Sequence, residues 1–298
     1  MGIVLGTNQY GKAEVRLVHV DRSTPRHVIK DLNVTSQLFG DFTATHTTGA
    51  NDAVIATDTQ KNTVYALART GGVGAIEEFA LRMARNFVDR YDQVTGARQE
   101  IEEYGWGRIE TSDGGPHDHA FVRSGTETRT VVVTKRGAAE TVISGLTDLV
   151  VLKSTGSEFW GFPDVEYTSL VETTDRILAT AVSSRWRHVG TDVDWDTSFA
   201  AVRQTMLDFF AGTHSYSMQQ TLYAMGQGVL EAHPEIAEIR FSMPNKHHFL
   251  VDLSAWGLEN PNEVWYAADR PYGLIEAQVT RDDVPADDAA WAGIAGFC

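Results

Sequence analysis

Hydrophobic and polar residues alternate along the first part of the chain in the way that a half-buried β-strand requires. Over Gln9 to Asp21, the residues Ala13, Val15 and Leu17 would share one face, with Lys12 on the opposite, polar face. The pattern therefore predicts that the chain opens with a strand and that Lys12 belongs to the solvated side of it.

The rest of the first half is predicted to form one more strand, two helices and two further strands. The second helix is amphipathic, because Phe79, Met83 and Phe87 recur near helical spacing. The first helix has a start signal in Thr57-x-x-Gln60, which has the form of a capping box. The predicted elements are a strand within Arg26 to Phe42, a helix from Thr57, a helix over Ile76 to Tyr91, and strands near Gln93 to Trp106 and His119 to Lys135.

The same order of elements is predicted again in the second half of the chain. An aromatic-rich loop, Phe159 to Pro163, separates its first two strands, and Ser217-x-x-Gln220 repeats the capping-box pattern. The predicted elements are strands over Thr141 to Lys153 and Arg176 to Val189, helices over Thr197 to Phe210 and Ser217 to His233, and a closing strand pair within Ile236 to Leu253.

The repeated order predicts an α+β fold class, with antiparallel strands and the helices of each unit on one face of its sheet. The two tandem units are predicted to comprise residues 1–137 and residues 138–298, the second with a C-terminal tail. The halves cannot be aligned residue by residue. We therefore expect a structural duplication rather than a sequence repeat.

The composition limits the possible partners of the chain. Its 298 residues carry a formal net charge of −15, which argues against nucleic acid or an anionic membrane, since both need a concentrated basic surface. An anionic substrate must then be bound by locally placed cations or amides. The only cysteine is Cys298, which excludes an intrachain disulfide and a cysteine-based metal cluster. No apolar run approaches the ~20 residues of a membrane helix.

A polar stretch, Pro244-Asn245-Lys246-His247-His248-Phe249, interrupts the predicted closing strand pair. It places four hydrogen-bonding side chains at the mouth of that pair. Adjacent histidines on extended chain face opposite sides, so His247 and His248 cannot both bind one metal ion. His117 and His119 also lack a third ligand. From the residues alone, the stretch is either a satisfied polar strand end or part of a site, and no metal site is predicted.

Several stretches, read together, give the chain a resemblance to a known family. They are Gln9-Tyr10-Gly11-Lys12, Ala56-Thr57-Asp58-Thr59-Gln60-Lys61-Asn62-Thr63, Lys153-Ser154-Thr155-Gly156-Ser157-Glu158-Phe159, Thr173-Thr174-Asp175-Arg176-Ile177-Leu178 and the polar stretch at Pro244. In this order the chain resembles the urate oxidase (uricase) family over nearly its whole length. The resemblance implies the tunnelling fold (T-fold), in which four subunits form a tunnel-shaped homotetramer with active sites at subunit interfaces.

The same resemblance implies a reaction and a set of residues that move protons. The reaction is oxidation of urate by dioxygen and water to 5-hydroxyisourate and hydrogen peroxide, with dioxygen as co-substrate and no metal or organic cofactor. Lys12 matches the catalytic lysine, and Thr57, expected from the neighbouring subunit, completes a proton relay that His247 joins. Without the resemblance, Lys12 would be a solvated strand lysine and Thr57 a helix N-cap.

Other residues are implied to hold the substrates. Phe159 would stack on the purine, and Arg176 would bind one edge of urate through two parallel hydrogen bonds. Gln219 would bind the opposite edge, because its amide offers a donor and an acceptor side by side. Asn245 would hold dioxygen above the ring. Backbone amides complete the set at Asp58 and at Met218, where family members carry a smaller aliphatic residue.

Two other functions stay open at this stage, because relatives with the tunnelling fold differ in chemistry. One is hydrolysis or isomerisation of a pterin or purine-like ring, in several cases with zinc. The other is a catalytically silent protein that binds urate. A prokaryotic-type cytoplasm is the expected location, since the final residues Gly296-Phe297-Cys298 lack a peroxisomal address of the Ser-Lys-Leu type.

Overall fold

The structure is a computed structural model that describes residues 2–112, 114–268, 270–294 and 297, so that Cys298 lies outside the described residues. Internal contacts divide the chain into two compact units. Unit 1 comprises Met1–Gly145 and Arg187–Thr197, and unit 2 comprises Leu146–Trp186 and Ser198–Cys298. The boundary at residue 137 that the sequence predicts separates two copies of a structural repeat rather than two contact units. That boundary stays a prediction.

The first part of the chain forms an antiparallel sheet and three helices. Neighbouring strands pair in the order β1-β2-β3-β4. The strands and helices predicted from the sequence are confirmed here with shifts of a few residues at their ends. The elements are β1 (Tyr10–Asp21), β2 (Val28–Phe39), α1 (Thr43–Thr47), α2 (Thr57–Gly71), α3 (Ile76–Val88), β3 (Gly96–Thr111) and β4 (Gly115–Arg136).

The second part repeats strands and helices and adds short elements near the end of the chain. Strands β5, β6, β7 and β10 lie side by side in that order, and β8 pairs with β9 in a separate two-stranded sheet. The elements are β5 (Ala139–Lys153), β6 (Leu178–His188), α4 (Trp195–Gly212), α5 (Met218–Ala232), β7 (Ile236–Asn245), β8 (His248–Leu250), a 3₁₀ turn (Ser254–Trp256), β9 (Trp265–Ala267), β10 (Gly273–Thr280) and α6 (Asp288–Trp291).

Each unit has its own hydrophobic core, formed where its helices cover its sheet. In unit 1 the predicted stripe of α3 is confirmed, because Phe79, Met83 and Phe87 are fully buried. In unit 2 the stripe of α5 packs with Trp186 and Phe241 in a second cluster. The α+β architecture with antiparallel strands is thus the one that the sequence predicts. Among the described residues, no helix is long and apolar enough to cross a membrane.

The closing strand pair predicted within Ile236 to Leu253 is wrong. Strand β7 pairs with β10, so that Asn245 lies opposite Gly273, and β8 pairs with β9. The reason is that the backbone leaves the ladder after Asn245: the Lys246 amide donates to the carbonyl of Ala179 (2.9 Å) instead. Both partner strands come from the C-terminal tail. The polar stretch therefore connects two sheets rather than the two strands of one hairpin.

The face predicted for Lys12 is also wrong, because β1 contains a bulge. The register shifts between Lys12 and Val15, with Lys12 opposite Ser36 and Val15 opposite Val34. Glu14, inside the bulge, has a φ of 58°. Ser36 and Val34 are two positions apart on one strand and share a face, so Lys12 lies on the same face as buried Val15. The bulge turns Lys12 from the solvated face to the face that the helices cover.

Gly11, directly before Lys12, allows the two strands to approach closely. A Cβ atom at this position would lie 1.8 Å from the Ser36 carbonyl oxygen and 2.8 Å from the Cα of Gln37. Both obstacles are backbone atoms, so neither can move aside cheaply. A glycine is therefore needed here for steric reasons, and it fixes the position of Lys12 on β1.

The two predicted capping boxes have different outcomes. Helix α2 begins at Thr57, so its N-cap is Ala56, which has no side-chain acceptor, and the side chain of buried Gln60 accepts a hydrogen bond from the Ser36 hydroxyl (3.3 Å). The box at Thr57 is therefore wrong. At α5 the Ser217 hydroxyl accepts a hydrogen bond from the backbone N–H of Gln220 (3.1 Å), as predicted for the N-cap.

Candidate active site

A cavity of about 730 Å³ in unit 2 brings four of the predicted site residues together. This volume is in the range of pockets for small molecules. The predicted residues come from the loop after β5, the segment before β6, the end of β7 and the connection to β8. They are Phe159, Arg176, Asn245 and His247.

Arg176 is a partly buried cation without a carboxylate partner. Burial alone lowers the pKa of its guanidinium, and no described acidic group forms an ion pair with it. The adjacent Asp175 is occupied elsewhere, because its carboxylate accepts from Thr155 (2.8 Å) and Asn262 (3.0 Å). A desolvated, unpaired guanidinium is costly unless it meets an anion. The cavity therefore has a binding group for an anionic ligand.

Phe159 adds an aromatic surface next to this cation. Its backbone exchanges two hydrogen bonds with Thr173 (2.8 and 3.0 Å), which fixes the loop to the segment before β6. The Phe159 ring stacks with Phe162 at a centroid distance of 5.2 Å, and the guanidinium carbon of Arg176 lies 5.1 Å from its centroid. An aromatic ring beside an arginine suits a flat, negatively charged ring system.

The surroundings of His247 favour the neutral form of its imidazole by lowering its pKa. Burial, then the charge of Arg176 and then that of His248, lower the pKa of its imidazole below the ordinary value of 6.5. Its ring stacks with that of Phe249 at 5.8 Å. Between the lowered pKa and 6.5, the unfolded chain binds a proton at this residue and the folded chain does not, so stability rises with pH across that window. Near neutrality the neutral ring can accept a proton.

Removing the positive charge next to His247 should raise its pKa. In Arg176→Gln we expect the pKa to move up towards 6.5 without reaching it, because burial remains the larger cause. The measurement is an NMR titration of the His247 ring protons in both proteins. Arg26→Gln is the control, since Arg26 is an exposed arginine paired with Asp118 in unit 1. An unchanged or lower pKa in Arg176→Gln would contradict the proposed electrostatic contact.

Asn245 and His248 complete the polar part of the cavity. Asn245 is the last residue of β7, where pairing with Gly273 holds its backbone. His248 also lines the cavity, and its Nδ1 atom hydrogen-bonds with the Lys246 carbonyl (2.9 Å). The amide of Asn245 is therefore presented at a rigid strand end, where it can position a small molecule.

Met218 and Gln219 lie at the start of α5 and are not among the residues that line the cavity. The Met218 side chain is buried in the core, and the contact of its backbone amide with a ligand stays a prediction. Gln219 is exposed in the first turn. The turn is tied to the Phe159 loop, because the Glu158 amide donates to the Ser215 carbonyl (2.7 Å).

Half-buried Thr57 and exposed Asp58 form the beginning of α2 in unit 1. The first helical hydrogen bond runs from the Gln60 amide to the Ala56 carbonyl (3.1 Å). The amides of Thr57, Asp58 and Thr59 precede this bond and have no acceptor inside the helix. Such amides favour an anion or another acceptor.

Lys12 lies close to this helix start within the same chain. The pKa of the Asp58 carboxylate is lowered mainly by the hydrogen bond and charge of Lys61, then by Asn62, and least by the charge of Lys12. Lys12 is partly buried on the helix face of β1. One chain places Lys12 and Thr57 in one region of unit 1. That Thr57 reaches the lysine from a different subunit stays a prediction, and the placement of both residues in an assembly is part of the proposed function.

Sequence reasoning assigned no role to several residues that line or support the cavity. Asn262 lies between β8 and β9, and Trp265 is the first residue of β9, so both reach the wall through the β8–β9 pairing. Ser157 lies in a stretch that carried the family resemblance, but its contacts with Arg176 depend on distant segments. Within the described parts of the chain, no three histidine, cysteine or acidic residues are grouped to hold a metal ion.

The chain is an α+β protein of two units with antiparallel strands, and its cavity places a cation beside an aromatic ring. The uricase family model matches residues 8–134 and 142–276. Over 296 residues the chain is 58% identical to the uricase of Arthrobacter globiformis, covering 99% of this chain and 96% of that one. The uricase of Oryctolagus cuniculus is 38% identical over 279 residues, with coverages of 91% and 93%. The chain belongs to the uricase family.

Solved structures agree with this assignment. The crystal structure of Arthrobacter globiformis uricase has a TM-score of 0.93 at 57% identity and covers 98% of this chain and 100% of that chain. A urate oxidase from Bacillus sp. TB-90 has a TM-score of 0.81 at 23% identity, covering 92% and 100%, which supports the fold alone. The antiparallel α+β fold of the chain is therefore the uricase fold.

Proposed function

We propose that the chain oxidises urate with dioxygen and water to 5-hydroxyisourate and hydrogen peroxide, with no metal or organic cofactor. Membership of the uricase family makes the chain a urate oxidase. The residue roles, the use of two subunits and the independence from a cofactor are our proposals. The observation that carries the proposal is the unpaired guanidinium of Arg176 beside the ring of Phe159.

The ring of urate would be held by three side chains and two backbone amides. Arg176 can donate two parallel hydrogen bonds to one edge of the urate anion, and Phe159 can stack on its face. Gln219 would bind the other edge. The amides of Met218 and Asp58, each in the first turn of a helix, would donate to the remaining oxygen or nitrogen atoms.

Proton removal prepares urate to react with dioxygen. Lys12 would take a proton in a partly buried position, and Thr57 and neutral His247 would pass protons between the ring and water. The deprotonated purine is electron-rich and can give one electron to dioxygen. The urate radical and superoxide recombine at C5 to give a hydroperoxide. Its C5–O bond then breaks, the peroxide group leaves with the bonding electron pair and takes up a proton as hydrogen peroxide, and water adds at C5 of the oxidised ring. Asn245 would hold dioxygen, and then water, over the ring.

We propose that each active site is completed by two subunits of a tunnel-shaped homotetramer. The partial site of unit 2 contains Phe159, Arg176, Asn245 and His247, and that of unit 1 contains Lys12 and Thr57. In the tetramer, one subunit would supply both Lys12 and Thr57, and the neighbouring subunit would bind the urate ring on which they act. The tetramer and the cytoplasmic location stay predictions.

Chelator-treated protein tests the cofactor-free reaction. We expect protein that has been incubated with a chelator and then freed of it to consume urate and dioxygen in equal amounts and to release one hydrogen peroxide per urate. The measurements are urate absorbance, oxygen uptake and a peroxide assay on the same sample. Addition of zinc, copper or iron should not raise the rate. Activity that is lost on chelation and regained with one of these metals would overturn the cofactor-free mechanism.

A further inference from the structure

We propose that Ser157 is a positioning residue for urate binding, because it orients the guanidinium of Arg176. The inference rests on the proposed function, in which Arg176 binds the urate anion. Ser157 is fully buried and lies in the loop that leads to Phe159. It does not line the cavity, so it acts through Arg176 and not through contact with urate.

Two hydrogen bonds join Ser157 to Arg176, one to the backbone and one to the side chain. The Arg176 amide donates to the Ser157 carbonyl (2.9 Å), and the Arg176 Nε–H donates to the Ser157 Oγ atom (3.2 Å). The first bond fixes the Cα of Arg176, and the second restricts rotation of the guanidinium plane. Because Nε is used in this way, the two terminal nitrogens are left to bind a ligand edge.

A hydroxyl is a suitable acceptor at this place because it is neutral. A carboxylate would orient the guanidinium equally well, but it would also neutralise the charge that an anionic ligand requires. The Ser157 oxygen holds Nε without doing so. This choice explains how Arg176 can be ordered and partly buried while burial remains the only cause of its lowered pKa.

Ser157 is itself fixed to the start of α5. It forms an isolated parallel bridge with Ser215, and the Ser215 amide donates to the Gly156 carbonyl (2.9 Å). The hydroxyl of Thr221, inside α5, donates to that of Ser215 (2.7 Å). Gly156 has a φ of 70°, which a larger residue rarely adopts. The position of Arg176 is thereby tied to the helix turn that carries Gln219, the residue proposed for the opposite urate edge.

The first test removes the hydroxyl and measures binding and turnover separately. In Ser157→Ala we expect the KM for urate and the Kd for the non-reactive analogue xanthine to rise roughly tenfold, as for a lost bond to a charged group, with kcat within about twofold. Ser157→Thr keeps the hydroxyl and should restore both constants to within about threefold of the original. Ser184→Ala is the control, since Ser184 is a buried serine whose hydroxyl donates to the backbone carbonyl of Arg240 (3.1 Å) and not to Arg176.

The second test asks whether the effect passes through Nε. Lysine has no Nε–H group, so in an Arg176→Lys background the change Ser157→Ala should weaken xanthine binding by less than about twofold. An undiminished effect in that background, an equal effect of Ser184→Ala, or no effect of Ser157→Ala alone would overturn the inference. Normal binding in Arg176→Lys would count instead against the proposed function. If Ser157→Ala does not fold, Ser157→Cys replaces it in both tests. Cysteine is close to serine in size, and its sulfur is only a weak hydrogen-bond acceptor.

Discussion

Replacing Lys12 with methionine should lower the turnover number for urate at least ~100-fold and change ligand binding much less. Methionine is similar in length, but it cannot take up a proton. The position of Lys12 supports this expectation, because the bulge in β1 places it on the helix face near the start of α2.

Steady-state kinetics with urate and calorimetric titration with xanthine separate the two effects of this change. Lys30→Met is the control, since Lys30 lies on β2 of the same unit and pairs with Glu103. It should retain turnover within about twofold, because Lys30 has no part in the proposed proton relay. Turnover of Lys12→Met within about threefold of the original would remove Lys12 from the mechanism.

Replacing Arg176 with glutamine should weaken the binding of urate and of xanthine about 100-fold. The substitution removes a charge and two donors, and a hydrogen bond to a charged group contributes about 1.5–3 kcal/mol. Arg176 makes no ion pair in the described residues, so its loss leaves no carboxylate uncompensated in the cavity. Stability should therefore change little while affinity falls.

The measurements for this variant are the Kd for xanthine and the midpoint of thermal unfolding. Arg26→Gln, which removes an exposed arginine of unit 1, should leave both unchanged. Unaltered affinity in Arg176→Gln would show that another group binds the anion. A large fall in the unfolding midpoint together with weaker binding would instead assign Arg176 a structural role.

The sequence predicts the order of elements well, because each strand and helix depends on a local period. The stripes of α3 and α5 and the strands β1 to β7 follow from that period. Features that depend on a partner strand were predicted wrongly. The bulge after Lys12 exists only in the register with β2, and the partner of β7 comes from a tail that gave no clear strand signal.

The candidate site shows the same division between local and distant information. Phe159, Arg176, Asn245 and His247 were named through family resemblance, and the fold brings them into one cavity. Nothing in their spacing alone indicates that proximity. Ser157 was missed because its role depends on hydrogen bonds to a residue 19 positions away. The Thr57 capping box failed for a similar reason, since the Gln60 side chain is engaged by Ser36 on β2.

Part of the cavity wall is formed by residues near the C-terminal end of the chain, and this has a consequence for synthesis of the protein. Asn262 and Trp265 line the cavity, and Asn262 also holds Asp175 by a hydrogen bond of 3.0 Å. A ribosome that has translated Phe159 and Arg176 must therefore add many more residues before the pocket can close. During that interval the nascent polypeptide cannot form the complete binding site, and a product of premature termination before Asn262 carries the arginine without the wall that encloses it.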